Sequence, residues 1–338
     1  MLKNRRILVT GGAGFIGSAL IWALNQRGRD DILVADFLGE DAKFKNLIPL
    51  RFDDYLEADA LLDVVENQPQ LLDDIETIFH LGACSSTTET DGHYLIENNY
   101  AFTKTLAHWA VESGKRFLYA SSAATYGDGS QGMDDKDENL SRLRPLNLYA
   151  YSKQRFDCYA QRRGWLSSIV GLKYFNVFGP NEAHKDDMRS VADKAFHQID
   201  AKGTVNLFKS YHPEYAHGEQ RRDFLYVKDA VAMTLHLAEN SSAAGLYNLG
   251  AGQAHTWKDL VTPIFEALGK PVDIRFIDMP ETLKAKYQYY TCADIAKLRA
   301  TGFKDPVTPL AQAVKEYVTD YLMPGKHLGD EMILDSGH

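Results

Sequence analysis

The sequence predicts an α/β protein, a doubly wound parallel sheet joined to a smaller, mixed α/β lobe. Three observations predict it. Short β-branched runs alternate with helix-period segments in the first third of the chain, a glycine-rich turn joins the first run to the first helix, and the rhythm changes after residue 175. At 338 residues the chain exceeds the size at which one hydrophobic core keeps growing, which favours two lobes.

RILVT (6–10) reads as a buried strand, and SALIWALNQRG (18–28) spaces its apolar residues as a helix does. DILVAD (31–36), ETIFHLGA (76–83) and RFLYASS (116–122) read as further strands. Between the last two, NNYAFTKTLAHWAVESG (98–114) reads as a helix closed by a C-terminal glycine. Strands alternating with helices form parallel βαβ units. Residues 1–175 are therefore expected to form one domain, with segments near 222–245 and 288–300 returning to it. Residues 176–221 and 246–323, with loops such as SYHPEYAHGEQ (210–220), form the smaller lobe, and 324–338 a C-terminal extension.

Composition narrows the function. Lys and Arg total 37 against 46 Asp and Glu, and the net charge of −9 disfavours nucleic acid and anionic membrane as partners. Cys84, Cys158 and Cys292 lie far apart without a C-x-x-C pair, which predicts a reducing compartment and no disulfide framework. The histidines lack metal-ligand spacing, so no metal is expected. No apolar run approaches the ~18 residues of a membrane span. MLKNRRILVTGG reads as a first strand rather than a signal peptide, and the expected location is the cytoplasm.

TGGAGFIG (10–17) satisfies two overlapping spacings, Gly12-Gly14-Gly17 and Gly11-Gly14-Gly17. A strand precedes it, a helix follows, and Asp36 closes the second strand 19 positions after Gly17. That context fits a dinucleotide-binding turn, in which glycines let a diphosphate approach a helix N-terminus whose amides favour negative charge. Asp36 is placed to accept bonds from the adenosine ribose, and Asp54 in FDDY is expected to face the adenine.

LNLYAYSK (146–153) carries Tyr149 and Lys153 four residues apart, on one face of a helix. A phenol ordinarily ionises near pH 10, and a neighbouring ammonium is expected to lower that value. Ser122, at the end of the strand 116–122, can hydrogen-bond the same substrate oxygen whose proton Tyr149 handles.

The glycine turn, Ser122, Tyr149, Lys153 and KYFNVFGP (173–180) together resemble the extended short-chain dehydrogenase/reductase family, over nearly the whole chain. The resemblance implies a Rossmann sheet that binds a nicotinamide dinucleotide, with a nucleotide sugar as substrate. The family's dehydratases carry an Asp-Glu pair where this chain reads AAT (123–125), so dehydration lacks its acid and base.

FHLGACSSTTETDG (79–92), YFNVFGP followed by His184 and Lys185, RRDFLYVKD (221–229) and KAKYQYYTCAD (284–294) are similar, more narrowly, to the ADP-heptose 6-epimerases of that family. This resemblance implies NADP as cofactor, with NAD usable, and an ADP-heptose as substrate. It also implies a homo-oligomer, specifically a homopentamer, that serves the lipopolysaccharide core. By the same resemblance Gly11, Gly14, Phe15, Ile16, Gly17, Asp36, Phe37, Lys43, Leu81, Gly82, Ala83, Cys84, Ser85, Asn98, Lys153 and Val177 would line the cofactor. Ser122, Asn176, Phe208, Lys209, Ser210, Tyr211, Arg222 and Tyr287 would line the substrate. Lys185 matches a lysine that acts as a base. A second proton-handling group suits a reacting carbon outside the sugar ring, because rotation about one bond points its oxygen somewhere new. The chain departs from the resembled pattern at Ala58, Asp186, Asp187 and Lys194. A 4-epimerase or reductase of another nucleotide sugar, and a catalytically silent dinucleotide sensor, stay open as alternatives.

Overall fold

The structure, a computed structural model, describes residues 5–40, 42–284 and 287–331. Its strands, among the described residues, are β1 (Arg6–Thr10), β2 (Ile32–Asp36), β3 (Asp54–Glu57), β4 (Ile75–His80), β5 (Arg116–Ser122), β6 (Val170–Tyr174), β7 (Asn176–Phe178), β8 (Val205–Phe208), β9 (Arg221–Tyr226), β10 (Gly245–Leu249), β11 (Ala254–Thr256) and β12 (Ile274–Ile277). Seven of them form one parallel sheet in the order β10-β6-β5-β4-β1-β2-β3.

Both faces of that sheet are covered. Ile7 and Val9 point into a core shared with the helices Phe15–Asn25 and Val227–Glu239. Leu8 points into a second core built with Ala58–Asn67, Phe102–Glu112 and Leu148–Arg162. Strands buried on both faces read as continuous apolar runs, as RILVT does. Each fully buried aliphatic side chain contributes about 1.5–3 kcal/mol.

The strand order turns back between β1 and β4, where Thr10 lies opposite both Ala35 and His80. The crevice of a doubly wound sheet opens outside the carboxyl ends at such a point. Gly11, Phe37 and Leu81 thus leave the sheet side by side, and Gly11 and Leu81 line one cleft there.

The smaller lobe holds two short sheets. In one, β9 pairs with β7 in parallel and with β11 antiparallel; in the other, β8 runs parallel to β12. The five residues of β10 are buried and pair with β6, so 246–249 belongs to the main sheet rather than to this lobe.

Local differences from the sequence reading have local causes. The first helix starts at Phe15, not 18, because the chain is already extended at its N-cap Gly14. It stops at Asn25, ahead of Gly28, which turns back at φ 74°. The strand expected over 76–83 ends at His80, and the helix expected over 98–114 opens with a π turn, Ile96–Ala101, before becoming α-helical. Among the described residues no helix is long and apolar enough to cross a membrane, and the three cysteines are free.

His80 closes β4 fully buried, between the hydroxyls of Thr10 (2.7 Å) and Thr103 (2.8 Å). Burial, with Lys153 nearby, pushes its pKa down to about 3. The unfolded chain binds a proton there below about pH 6.5 and the folded chain does not until about 3, so this contribution to stability is lost as pH falls through that window. We expect the urea midpoint of the wild type to fall more steeply over that range than that of His80→Gln. Parallel curves would show that His80 does not titrate as described.

Candidate active site

The cleft has a volume of about 1630 Å³ and is lined from both lobes. Its phosphate end is the turn after β1. A Cβ on Gly17 would lie 2.0 Å from the Gly11 carbonyl oxygen, and Gly11, at φ 69°, would bring a Cβ within 2.5 Å of the Gly82 nitrogen. These contacts exclude side chains and leave a cradle of backbone at the N-terminus of an 11-residue helix, where no side chain caps the free amides. The cradle fits a dinucleotide diphosphate. Gly11, Gly14, Phe15, Ile16 and Gly17 line it, and Leu81, Gly82, Ala83, Cys84 and Ser85 form the opposite wall.

Asp36 sits at the ribose end, 8% exposed. Its carboxylate accepts from Ala13 N (2.9 Å), Phe37 N (2.7 Å) and Lys43 Nζ (3.0 Å). The protein therefore fills most of the acceptor positions expected to serve the ribose. Ala58 is buried at the start of its helix.

Two expected cofactor residues stand elsewhere, and one lies on the outer side of the cleft. Asp54 begins β3 opposite Leu33, at the amino end of the strands, and faces Arg6 (3.8 Å). It cannot meet an adenine at the carboxyl end. Asn98 turns its amide back onto the Tyr94 carbonyl (2.8 Å) within the π turn. Its neighbour Asn99, fully buried, instead holds both backbone groups of Cys84 (2.8 and 2.9 Å). Phe37 is 40% exposed and does not line the cleft.

Ser122, Tyr149 and Lys153 meet at the centre. Asn147 caps their helix by accepting from Ala150 N (2.8 Å), which sets where Tyr149 emerges. Lys153 donates to the Ala120 carbonyl (2.8 Å) and is 4% exposed. Burial pushes its amine down to about 8, with Asp157 pulling upward. The phenol of Tyr149 is raised rather than lowered, because burial dominates and the Ser122 hydroxyl offsets only part of it. The expected depression by Lys153 is absent; that ammonium bonds the Ala120 carbonyl instead.

Beneath them lies a closed ion pair, Lys173 Nζ to Asp157 Oδ2 at 2.9 Å, both side chains 0% exposed. Asp157 also accepts from Tyr119 and Ser121 (2.8 Å each), and Lys173 donates to Thr125 (2.6 Å). The network ties β5, β6 and the Tyr149 helix together, which fixes Ser122 against Tyr149. Lone polar letters in a sequence give no sign of it.

The loop after β7 carries Lys185 into the same cleft. Its ammonium lies 5.5 Å from the centre of the Phe15 ring, and burial lowers its pKa against an upward pull from Glu182. Asp186 stands at the rim, and Asp187 lies outside with its carbonyl bonded by Lys194.

On the smaller lobe, Asn176 and Val177 line the wall, and Arg222 is held between the rings of Trp257 (5.6 Å) and Tyr287 (5.1 Å). Trp257, which the sequence reading passed over, also donates to the Tyr287 hydroxyl (2.9 Å). Phe208, Lys209, Ser210 and Tyr211 do not line the cleft. Phe208 ends β8, which pairs with β12, and Lys209 and Tyr211 both bond Asp278, just ahead in sequence of the lining residues Pro280 and Leu283.

Residues 7–250 match the NAD dependent epimerase/dehydratase family. The ADP-L-glycero-D-manno-heptose-6-epimerase of Nitratidesulfovibrio vulgaris is 50% identical over 315 residues, 93% of this chain and 97% of that protein. The enzyme of the same name from Fusobacterium nucleatum is 42% identical over 325 residues, 94% and 98% of the two chains. Among solved structures, the Helicobacter pylori ADP-L-glycero-D-manno-heptose-6-epimerase superposes with a TM-score of 0.77 at 28% identity, covering 94% of this chain and 96% of that one. A UDP-N-acetylglucosamine 4-epimerase from Methanobrevibacter ruminantium shares the fold, with a TM-score of 0.80 at 24% identity over 96% and 100% of the chains. A glycine cradle, a Ser-Tyr-Lys centre and this similarity over almost the whole length lead to one conclusion: the chain belongs to the NAD dependent epimerase/dehydratase family, and within it to the ADP-L-glycero-D-manno-heptose-6-epimerases.

Proposed function

We propose that this protein interconverts ADP-D-glycero-D-manno-heptose and ADP-L-glycero-D-manno-heptose, as relatives of that name do, for the lipopolysaccharide core. The observation that carries the reading is that Tyr149 and Lys185 approach one cleft from separate walls. The chemistry a bound nicotinamide supplies there is removal of a hydride from C6 of the heptose and its return to the opposite face. The chain's own groups handle the proton on the C6 oxygen. Tyr149 exchanges it with one epimer, Lys185 with the other, and Ser122 orients the oxygen between them. Opposite shifts suit the pair, because burial holds the proton on the phenol and loosens the one on the amine. Lys153 fixes the Tyr149 wall through Ala120 and would hold the nicotinamide ribose. Arg222 would face the anionic diphosphate of the sugar nucleotide.

Turnover in D₂O should leave C6 free of solvent deuterium, since the hydrogen returns rather than washing out. Substantial deuterium at C6 would replace this route by direct proton abstraction. A homo-oligomer in the cytoplasm belongs to the same reading, and light scattering of the purified protein tests its pentameric form.

NADP is the preferred cofactor in this reading, with NAD usable. Asp36 alone would repel a 2′-phosphate, but Lys43 already sits 3.0 Å from it and can pair with that phosphate. Lys43→Met should weaken NADP roughly 10-fold or more, the worth of one charge-assisted bond, and leave NAD within about two-fold. Equal losses for both cofactors, measured by titration, would remove Lys43 from the phosphate site.

A further inference from the structure

Resting on that reading of Lys185, we propose that Asn181 is the positioning residue for the Lys185 loop, clamping it to the first helix, to the glycine turn and to the C-terminal segment at once. Asn181 is 5% exposed and holds φ at 78°, and Asp186, the next residue after Lys185, holds 45°. Asn and Asp enter the left-handed region more readily than other non-glycine residues, and contacts around them hold them there. At Asn181 three surroundings do so. Its amide donates to Ser18 Oγ (3.0 Å) on the first helix, and Ser18 in turn donates to the carbonyl of Phe15 (3.2 Å), the residue whose ring lies under the Lys185 ammonium. Its side-chain oxygen accepts from the backbone of Leu328 (2.9 Å), which is fully buried in the main core. Its own carbonyl accepts from Asn46 (3.0 Å), whose amide also reaches the Ala13 carbonyl (3.0 Å) and the ring of His184 (3.3 Å).

The other side of the loop is closed by Glu182, 1% exposed. It accepts from Gly179 N (3.1 Å), from Ser190 Oγ (2.8 Å) and from the Tyr317 hydroxyl (3.1 Å). Lys185 is therefore carried on a short span with both ends anchored, and Asn181 is the anchor shared with the cofactor turn. The C-terminal segment takes part in the active site through it without touching the cleft. Glu331, at the end of that segment, accepts from Trp22 Nε1 (2.8 Å), which lays the segment along the same first helix.

The test uses the full chain carrying Asn181→Gly, which permits the same φ but removes the amide bonds, beside Lys185→Met. Steady-state epimerisation is measured together with competitive acetylation of Lys185, read by peptide mass spectrometry as a function of pH. Asn181→Gly should lower kcat roughly 10–100-fold, the cost of misplacing a reacting group by about 1 Å, with KM within about three-fold. The acetylation midpoint of Lys185 should rise toward that of exposed lysines in the same digest. Retained kcat, or a lowered kcat with an unmoved midpoint, overturns the proposal. Should Asn181→Gly fail to fold, Ser18→Ala removes one of the same bonds and carries the same two expectations. If Lys185→Met is inactive and Asn181→Gly unaffected, the clamp fails and the role of Lys185 stands. If Lys185→Met itself turns over at near wild-type rate, it is the reading of Lys185 that fails.

Discussion

Tyr149→Phe should lower kcat by ~10²–10⁴ and leave nucleotide-sugar binding within a few-fold, the usual worth of a positioned acid or base. The phenyl ring fills the same volume, so the helix Leu148–Arg162 and its cap at Asn147 are undisturbed. What is lost is the hydroxyl beside Ser122, which burial keeps protonated at neutral pH. With Ser122 and the cofactor cradle intact, substrate still binds and the C6 oxygen still finds one hydrogen-bond partner. Isothermal titration with the sugar nucleotide and a rate assay on the same preparation separate the two effects. A variant with near wild-type kcat would take the proton chemistry away from Tyr149.

Lys185→Met should cost a similar factor, ~10²–10⁴ in kcat, by removing the second proton-handling group. Methionine keeps an apolar stem of similar length over the Phe15 ring, so the loop has no new reason to move. The pH profile distinguishes this loss from the first. Burial lowers the Lys185 amine below its ordinary value of 10.5, so its titration shapes the wild-type rate on the alkaline side. That limb should disappear in Lys185→Met and persist in Tyr149→Phe. An unchanged profile with near wild-type rate in Lys185→Met would make Lys185 an ordinary charge at the cleft mouth.

How much of this was legible depended on how local the determining contacts are. The glycine turn was legible because its geometry is set within eight residues, and Tyr149 and Lys153 because one helical turn separates them. Asp54 was misplaced because composition does not say at which end of a strand a residue stands; the residue level with Asp36 is Glu57, three positions on. Asn98 was expected by resemblance alone; the π turn Ile96–Ala101 points its amide back at the Tyr94 carbonyl and buries the side chain of Asn99 against Cys84, which α-helical periodicity cannot anticipate. Phe208 to Tyr211 were expected in the cleft by resemblance, but their direction is set by pairing with β12, almost 70 residues later. The Asp157–Lys173 pair and the anchors of Glu182 lie deeper still. Asp157 also reaches back to Tyr119 and Glu182 forward to Tyr317, and a buried polar residue looks like an exposed one until such partners are known.

The sealed pair under the catalytic centre also bears on how the protein responds to ionic strength. Mobile ions screen charges that solvent can reach, as at Lys258–Glu219 and Arg275–Asp273, but cannot enter around Asp157 and Lys173, which are 0% exposed. Concentrated electrolyte therefore weakens attraction between the cleft and an anionic nucleotide while the floor that aligns Ser122 with Tyr149 keeps its shape. Added salt is therefore expected to change how readily substrate is captured and to leave nearly unaltered how fast it reacts once it has arrived.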